Sequence, residues 1–226
     1  MSNENQPDWS KIAAGYDQIA SEIWESPSLY KDALKLAPDC RGSIIDVGCG
    51  QGLFLDLIGK TFPKVTSLSG CDLSPKLVEL SRARVKNADI KVANALELTQ
   101  YETSSFDFLF MIGSLEHMIY HETALRTAYR VLKPNGVICV AVPNRNWINY
   151  QKWLKNRTEF QPVDDYWFQP QELTGLMERV GFKIESIRGL WALYRGNWIH
   201  NIEIALAAIF PSLNKRMKLI GVRARK

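Results

Sequence analysis

At 226 residues, with 46% hydrophobic and 23% charged content, the chain has an ordinary globular composition. It can bury one substantial core and reads as one domain with insertions. Four cysteines (Cys40, Cys49, Cys71, Cys139) without C-x-x-C spacing point to neither a zinc site nor a disulfide framework, so a reduced, cytoplasmic protein is expected. The first twenty residues lack the basic-then-apolar pattern of a signal peptide.

The net charge of +4 is unevenly spread: residues 1–145 hold 15 basic against 17 acidic side chains, and residues 146–226 hold 13 against 7. A solvated basic tail accounts for this bias, and so does attraction to an acidic acceptor or an anionic membrane surface.

In chain order, the polar stretch Met1 to Pro7 is expected to be disordered. A helical segment starts at Trp9 and carries Tyr16-Asp17; a second helix starts at Pro27 and ends near Pro38. The segment SIIDVGCGQG, Ser43 to Gly52, follows. Its apolar run (Ile44, Ile45, Val47) ends in Gly48, Gly50 and Gly52, and the periodic Leu53 to Ile58 reads as a helix. Strand, glycine turn and helix open a nucleotide-binding βα unit, where glycine permits the sharp turn and leaves the backbone open to a ligand.

A dinucleotide fingerprint would need Gly or Ala at position 53, which is Leu53. The strand also closes on Asp46, whose carboxylate would repel a pyrophosphate and suits a ligand with an ammonium group. Val65 to Cys71 reads as the second strand. Asp72, about twenty residues past the loop, is placed to accept hydrogen bonds from both ribose hydroxyls. Ser74-Pro75 caps a helix that runs to Lys86, and Ile90 to Ala93 is a short third strand ending at Asn94-Ala95.

Phe106 to Ile112 is nearly all apolar, as a central parallel strand buried on both faces should be. Gly113-Ser114-Leu115-Glu116-His117 follows at its C-terminal end, the edge where open α/β sheets bind ligands. Thr123 to Leu132 is a helix, Lys133 to Gly136 a turn, and Val137 to Val142 a fifth strand. Beyond Asn144 the character changes: five of the seven tryptophans lie between residues 147 and 198. Trp147, Tyr150, Trp153 and Leu154 have helical spacing, and FQPVDDYWFQP reads as a loop. Gln171 to Val180 is a helix, Phe182 to Ile187 a sixth strand and Lys218 to Ala224 the last. Trp198 to Phe210 is an apolar helix of about 13 residues, where a bilayer span takes roughly 20.

DVGCGQG followed by GCDLSP resembles motifs I and II of the class I S-adenosylmethionine (SAM) dependent methyltransferases. The likeness continues through KVANALEL, FDFLFMIGSLEHM and AYRVLKPNGVICVAVPN, so it spans roughly residues 40 to 145. It implies an α/β, Rossmann-like doubly wound sheet of seven strands, mostly parallel with the last antiparallel, under a helical aromatic-rich cap. Residues 1–40 would cover the cofactor site, 41–145 form the SAM-binding core, and 146–226 add the substrate cap and closing strands.

The same resemblance implies roles. Gly48, Cys49, Gly50 and Gly52 would underlie the methionine and ribose portions of SAM, with Asp46 near the methionine ammonium and Asp72-Leu73 at the ribose. Asn94-Ala95 would meet adenine, the backbone at Met111 and Ile112 would lie beside the methionine end, and Tyr16 would wall the site. SAM carries a methyl on a sulfonium, so a hydroxyl acceptor chiefly needs positioning and a group to take its proton.

His117, with Glu116, is the leading candidate for that group. Their LEH element resembles that of ubiquinone-pathway and of many sugar and natural-product O-methyltransferases. The pair would equally suit a loop-to-helix transition. His121, Asp164, Asp165 and Tyr166 are secondary candidates. Gly113 stands where some ubiquinone-type enzymes have Glu, so no metal is expected.

Trp147, Tyr166, Trp167 and Trp198 are candidate acceptor contacts, suited to an aromatic, isoprenoid or sugar-containing molecule. The [DNS]-P-P-[YF] element of amino-methylating nucleic-acid enzymes and the Pro-Cys nucleophile of cytosine-C5 enzymes are absent, so DNA is not expected as substrate. The main reading is methyl transfer to a small-molecule or lipid/sugar-linked acceptor, on oxygen. An RNA or protein methyltransferase and a non-catalytic SAM-binding interaction protein are the alternatives. A membrane surface is not the favoured partner, and oligomeric state is unassigned.

Overall fold

The computed structural model describes residues 8–19, 27–147, 150–156, 165–190 and 217–226. Two helices, α1 (Trp9–Ile19) and α2 (Pro27–Leu34), precede β1 (Gly42–Val47), α3 (Leu53–Thr61), β2 (Val65–Asp72), α4 (Pro75–Arg84) and β3 (Ala88–Val92). Then come β4 (Phe106–Ile112), a 3-10 turn (Leu115–His117), α5 (His121–Val131) and β5 (Leu132–Pro143). A short α6 (Tyr150–Asn156), α7 (Pro170–Val180), β6 (Lys183–Leu190) and β7 (Leu219–Arg225) complete the order.

The seven strands form one sheet in the order β3-β2-β1-β4-β5-β7-β6. The first five run parallel, and β7 lies antiparallel to both of its neighbours. The expected doubly wound sheet with an antiparallel last strand is therefore observed.

Strand alternation sorts the apolar residues to two faces. Ile45, Val47, Leu109, Met111, Ile138, Val140 and Val142 pack with α5 and α7. Ile44, Phe108, Phe110, Ile112, Cys139 and Ala141 pack with α2 and α3. Both faces of β4 are thus covered, which is why its sequence is an unbroken apolar run.

Several boundaries differ from the sequence reading. Lys133 to Gly136 is not a free turn but a bulge inside β5: Phe106 pairs with Leu132 while Phe108 pairs with Val137, so three extra residues loop out, with Asn135 at φ 64°. The helix before it starts two residues earlier than expected, at His121, and β3 starts at Ala88. In FQPVDDYWFQP, the described part (Asp165 onward) is a strap whose Trp167 and Phe168 are buried. It is fixed by hydrogen bonds from Tyr166 N to Glu116 O (3.0 Å), Phe168 N to Pro143 O (3.0 Å) and Arg145 N to Phe168 O (2.9 Å). The helix expected at Trp198 to Phe210 lies outside the described residues. Among those described, no helix is long and apolar enough to cross a membrane.

Candidate active site

The site forms where β1, β2 and β4 end together, because parallel strands deliver their C-terminal loops to one edge. The glycine loop after β1 crosses to β2 through Gly48 N and Cys49 N, which donate to Cys71 O at 2.8 and 2.9 Å. The three glycines then do different work. A Cβ on Gly48 (φ 76°) would lie 2.4 Å from Ser114 Cβ, and one on Gly52 (φ 79°) 2.3 Å from Ser81 Oγ. Those two are glycine because neighbouring chain packs against them. Among the described residues, Gly50 (φ 52°) has nothing within 4 Å of where its Cβ would be, so there it faces open space. The side chain of Cys49 turns into the core with Leu55, Val78 and Ile90, leaving its backbone on the loop. Met111 and Ile112 are likewise buried on opposite faces, so only their main chain reaches the edge.

Asp72 holds this loop. Its two carboxylate oxygens accept from Gly50 N (2.9 Å) and Ser74 N (3.0 Å). Burial raises its pKa, and hydrogen bonds from the Ser74, Gly50 and Leu73 amides oppose that rise. A carboxylate offers about four lone-pair positions, so these amides leave acceptor capacity for a ligand. Asp46 is 2% exposed in β1; burial first, and the charge of Asp72 second, push its pKa to about 8. Asn94 begins a turn in which its Oδ1 accepts from Leu96 N at 3.0 Å, so the acceptor expected to face adenine already holds one hydrogen bond.

The tyrosine-aspartate pair of α1 divides its labour. Asp17 accepts from Ser74 Oγ and from Lys76 N (3.0 Å), anchoring α1 at the N-terminus of α4. Tyr16 then sits beside the ligand edge: burial, followed by the charges of Asp72, Asp165 and Glu116, raises its hydroxyl pKa, and its buried OH has no hydrogen-bond partner among the described residues. Nothing in the sequence reading singled out Asp17, although an acid beside a candidate wall residue, ahead of a Ser-Pro helix start, was the available signal.

The 3-10 turn after β4 supplies the remaining groups. Ser114 Oγ donates to Val47 O at 2.7 Å, tying this turn to β1. Glu116 is 5% exposed; burial first, then the charge of Asp165, push its pKa to about 8, and Oε2 has no partner among the described residues. His117 lies 6.2 Å from Tyr16, ring to ring and edge-on. Its Nδ1 is 3.3 Å from Asp165 Oδ1 on the strap, although the alignment falls short of a hydrogen bond. Burial lowers the His117 pKa and the Asp165 charge opposes that, so the net direction is down.

Tyr166 turns outward: its hydroxyl bonds Glu172, its ring packs 4.8 Å from His121, and Arg145 lies 5.6 Å over it. Trp147 and Trp167 stack at 6.2 Å, with Tyr150 at 5.1 Å from Trp167. Trp198 and Asp164 lie outside the described residues.

Open space at Gly50, the buried Asp46 and half-buried Asp72 carboxylates, and Tyr16 OH and Glu116 Oε2 unpaired among the described residues outline a cradle for a polar, cationic ligand on the glycine loop. Comparison with known proteins agrees. Residues 24–187 match the family model described as a methyltransferase domain, and the chain belongs to that family. A Mycolicibacterium smegmatis protein described as a probable SAM-dependent methyltransferase is 31% identical over 70% of this chain; the match spans only 58% of that protein's length. A Xanthomonas oryzae ubiquinone biosynthesis O-methyltransferase is 28% identical over 83% of this chain and 85% of its own. In fold, the chain matches a Thermotoga maritima SAM-dependent methyltransferase, described as a possible histamine N-methyltransferase (TM-score 0.71, 20% identity, 95% of this chain and 99% of that one). The protein is a SAM-dependent methyltransferase of class I fold.

Proposed function

We propose that the chain methylates a hydroxyl oxygen of a small-molecule or lipid/sugar-linked acceptor, with His117 as the group that takes the hydroxyl proton. The observation that carries this reading is the convergence of a half-buried imidazole, held beside Asp165, with the ligand edge of β1, β2 and β4. The ubiquinone-pathway relatives, named as O-methyltransferases, support oxygen as the atom methylated.

SAM brings the electrophile, a methyl on a cationic sulfur, and needs little covalent help from the protein. Asp46, Asp72 and the open backbone at Gly50 are the residues that fit it, and Tyr16 would close over it. His117, kept neutral by burial, has Nε2 free to accept a proton once its Nδ1–H faces Asp165. Asp165 arrives there because the strap is pinned to the Glu116 carbonyl.

The cofactor assignment has a pH signature. Asp46 in the ligand-free protein keeps its proton to about pH 8, whereas in the unfolded chain it is ionised from about pH 4 upward. The folded form therefore holds an extra proton across that window, and ligand-free stability is expected to decline as pH rises through it. A cationic ligand beside Asp46 favours the carboxylate, so SAM binding should release this proton and tighten between about pH 6 and 7.5. Calorimetry in two buffers of different ionisation enthalpy reads the proton directly. Asp46→Asn should abolish the release; unchanged release in that variant would remove Asp46 from the ammonium's side.

The glycines separate packing from binding. Gly52→Ala is expected to lower stability by about 2 kcal/mol or more, through left-handed strain and the contact with Ser81. Gly50→Ala should cost only about 1 kcal/mol of stability, yet abolish measurable SAM binding, since its methyl enters the open cradle. Thermal melts with and without SAM read both. Normal SAM affinity in folded Gly50→Ala would put the cofactor elsewhere.

A further inference from the structure

The surplus positive charge of the C-terminal third is not one surface, and the closing strand shows how it divides. Arg223 bonds Asp39 (2.6 Å), Glu185 (2.5 Å) and Leu36 O (3.1 Å), tying β7 to β6 and to the turn after α2. Arg225 pairs with Glu185 and donates to Asn135 O at 2.9 Å, on the β5 bulge. Lys226 Nζ donates to Tyr129 O and Leu132 O, both at 2.7 Å. These three cations are committed to holding the last strand in the sheet, and none is available to a membrane or an acidic partner.

Lys218 differs from all of them. It is half-buried, its ammonium lies 5.1 Å over the Trp147 ring, and it has neither an ion pair nor a side-chain hydrogen bond among the described residues. Its place in the fold is also distinct. Asn144 N donates to Lys218 O at 2.8 Å and Asn144 Nδ2 to Met217 O at 2.6 Å, where β5 ends and β7 begins. That is the same sheet edge that presents Asp46, Asp72, Glu116 and His117. Burial lowers the pKa of Lys218, and Asp165, the carboxylate beside His117, opposes this. Asp165 offsets only part of the cost of a partly desolvated ammonium that has no ion pair among the described residues. A bound anion would relieve that cost, and a neutral ligand would not.

We propose that Lys218 is the anion-recognition group of the acceptor pocket, so that the acceptor carries a carboxylate or phosphate which pairs with Lys218 while the Trp147–Trp167 stack covers its apolar body. The inference rests on the methyl-transfer reading above and narrows its substrate class. It also divides the cations of the closing strand: Lys218 faces the ligand edge, and Arg223, Arg225 and Lys226 lock the strand.

The test uses full-length protein saturated with S-adenosylhomocysteine and two probe pairs matched in shape, benzoate with benzamide and phenyl phosphate with phenol. Calorimetry, together with the chemical shift of the Lys218 ε-methylene, reads binding. At least one anion is expected to bind about tenfold or more tightly than its uncharged counterpart. Lys218→Gln should erase that preference, and Lys218→Arg should retain most of it, with S-adenosylhomocysteine affinity and melting temperature unchanged in both.

Equal binding of anion and neutral probe, or binding of neither, would overturn the proposal while leaving the cofactor site intact. Failure of S-adenosylhomocysteine to bind would instead strike the reading on which it rests. Co-sedimentation with phosphatidylglycerol vesicles at about 0.15 M salt, abolished by Lys218→Gln, would assign the anion to a membrane surface and overturn the small-acceptor form.

Discussion

His117→Ala is expected to lower turnover by about 10²–10⁴-fold while SAM affinity barely moves, the range seen when a positioned proton acceptor is removed. The imidazole sits at the end of β4, edge-on to Tyr16 and against Asp165, and burial keeps it neutral below the ordinary histidine range. Activity should therefore persist at pH values where a solvent-exposed histidine would already be charged. Asp165→Asn supplies a second readout. It removes the carboxylate that orients Nδ1 and supports the charged form, so the acid limb of the pH–rate profile should shift and turnover should fall by less than in His117→Ala. A His117→Ala protein that melts early yet keeps its turnover would return this residue to a structural part in the 3-10 turn.

The second large effect is on the cofactor. Asp72→Ala should weaken SAM binding by at least about 1.5–3 kcal/mol, the range for hydrogen bonds to a charged acceptor, which is roughly 10- to 150-fold in affinity. The proposed site gives the loss two sources. The ribose hydroxyls would lose their carboxylate, and the amides of Gly50 and Ser74 lose the acceptor that holds the glycine loop against α4. Asp72→Asn separates them: its amide keeps one oxygen for a backbone donor but turns an N–H toward the other. An affinity loss near that of alanine, with a melting temperature near wild type, is expected from direct titration. SAM affinity unchanged in both variants would remove Asp72 from the cofactor site.

The sheet was legible because its signals are local and physical. Phe106 to Ile112 is apolar at every position except Asp107, and only a strand covered on both faces tolerates that. The Gly48–Gly52 run, Asp72, Leu53 and Asp46 were the signals that pointed to SAM, the cofactor of the family the chain belongs to. What the sequence could not distinguish was why each glycine is a glycine. That depends on Ser114 and Ser81, residues 66 and 29 positions away that the fold brings against Gly48 and Gly52.

The strap from Asp165 to Phe168 was read as a loop because it has no periodicity. It is buried nonetheless, since Phe168 pairs with the end of β5 and the Glu116 carbonyl takes the Tyr166 amide. The contact between Asp165 and His117 follows from those long-range hydrogen bonds, and no spacing rule anticipates it. Lys133 to Gly136 was read as a turn ahead of the fifth strand; that it is a bulge inside β5 depends on the register with β4, which no local signal carries.

Isothermal calorimetry with SAM and NAD in parallel on the intact protein tests the central claim most directly. The account predicts one-site SAM binding, with proton release below pH 8 that depends on Asp46, and no saturable binding of NAD, whose pyrophosphate would have to lie beside Asp46 and against the Leu53 side chain. NAD binding more tightly than SAM would contradict it.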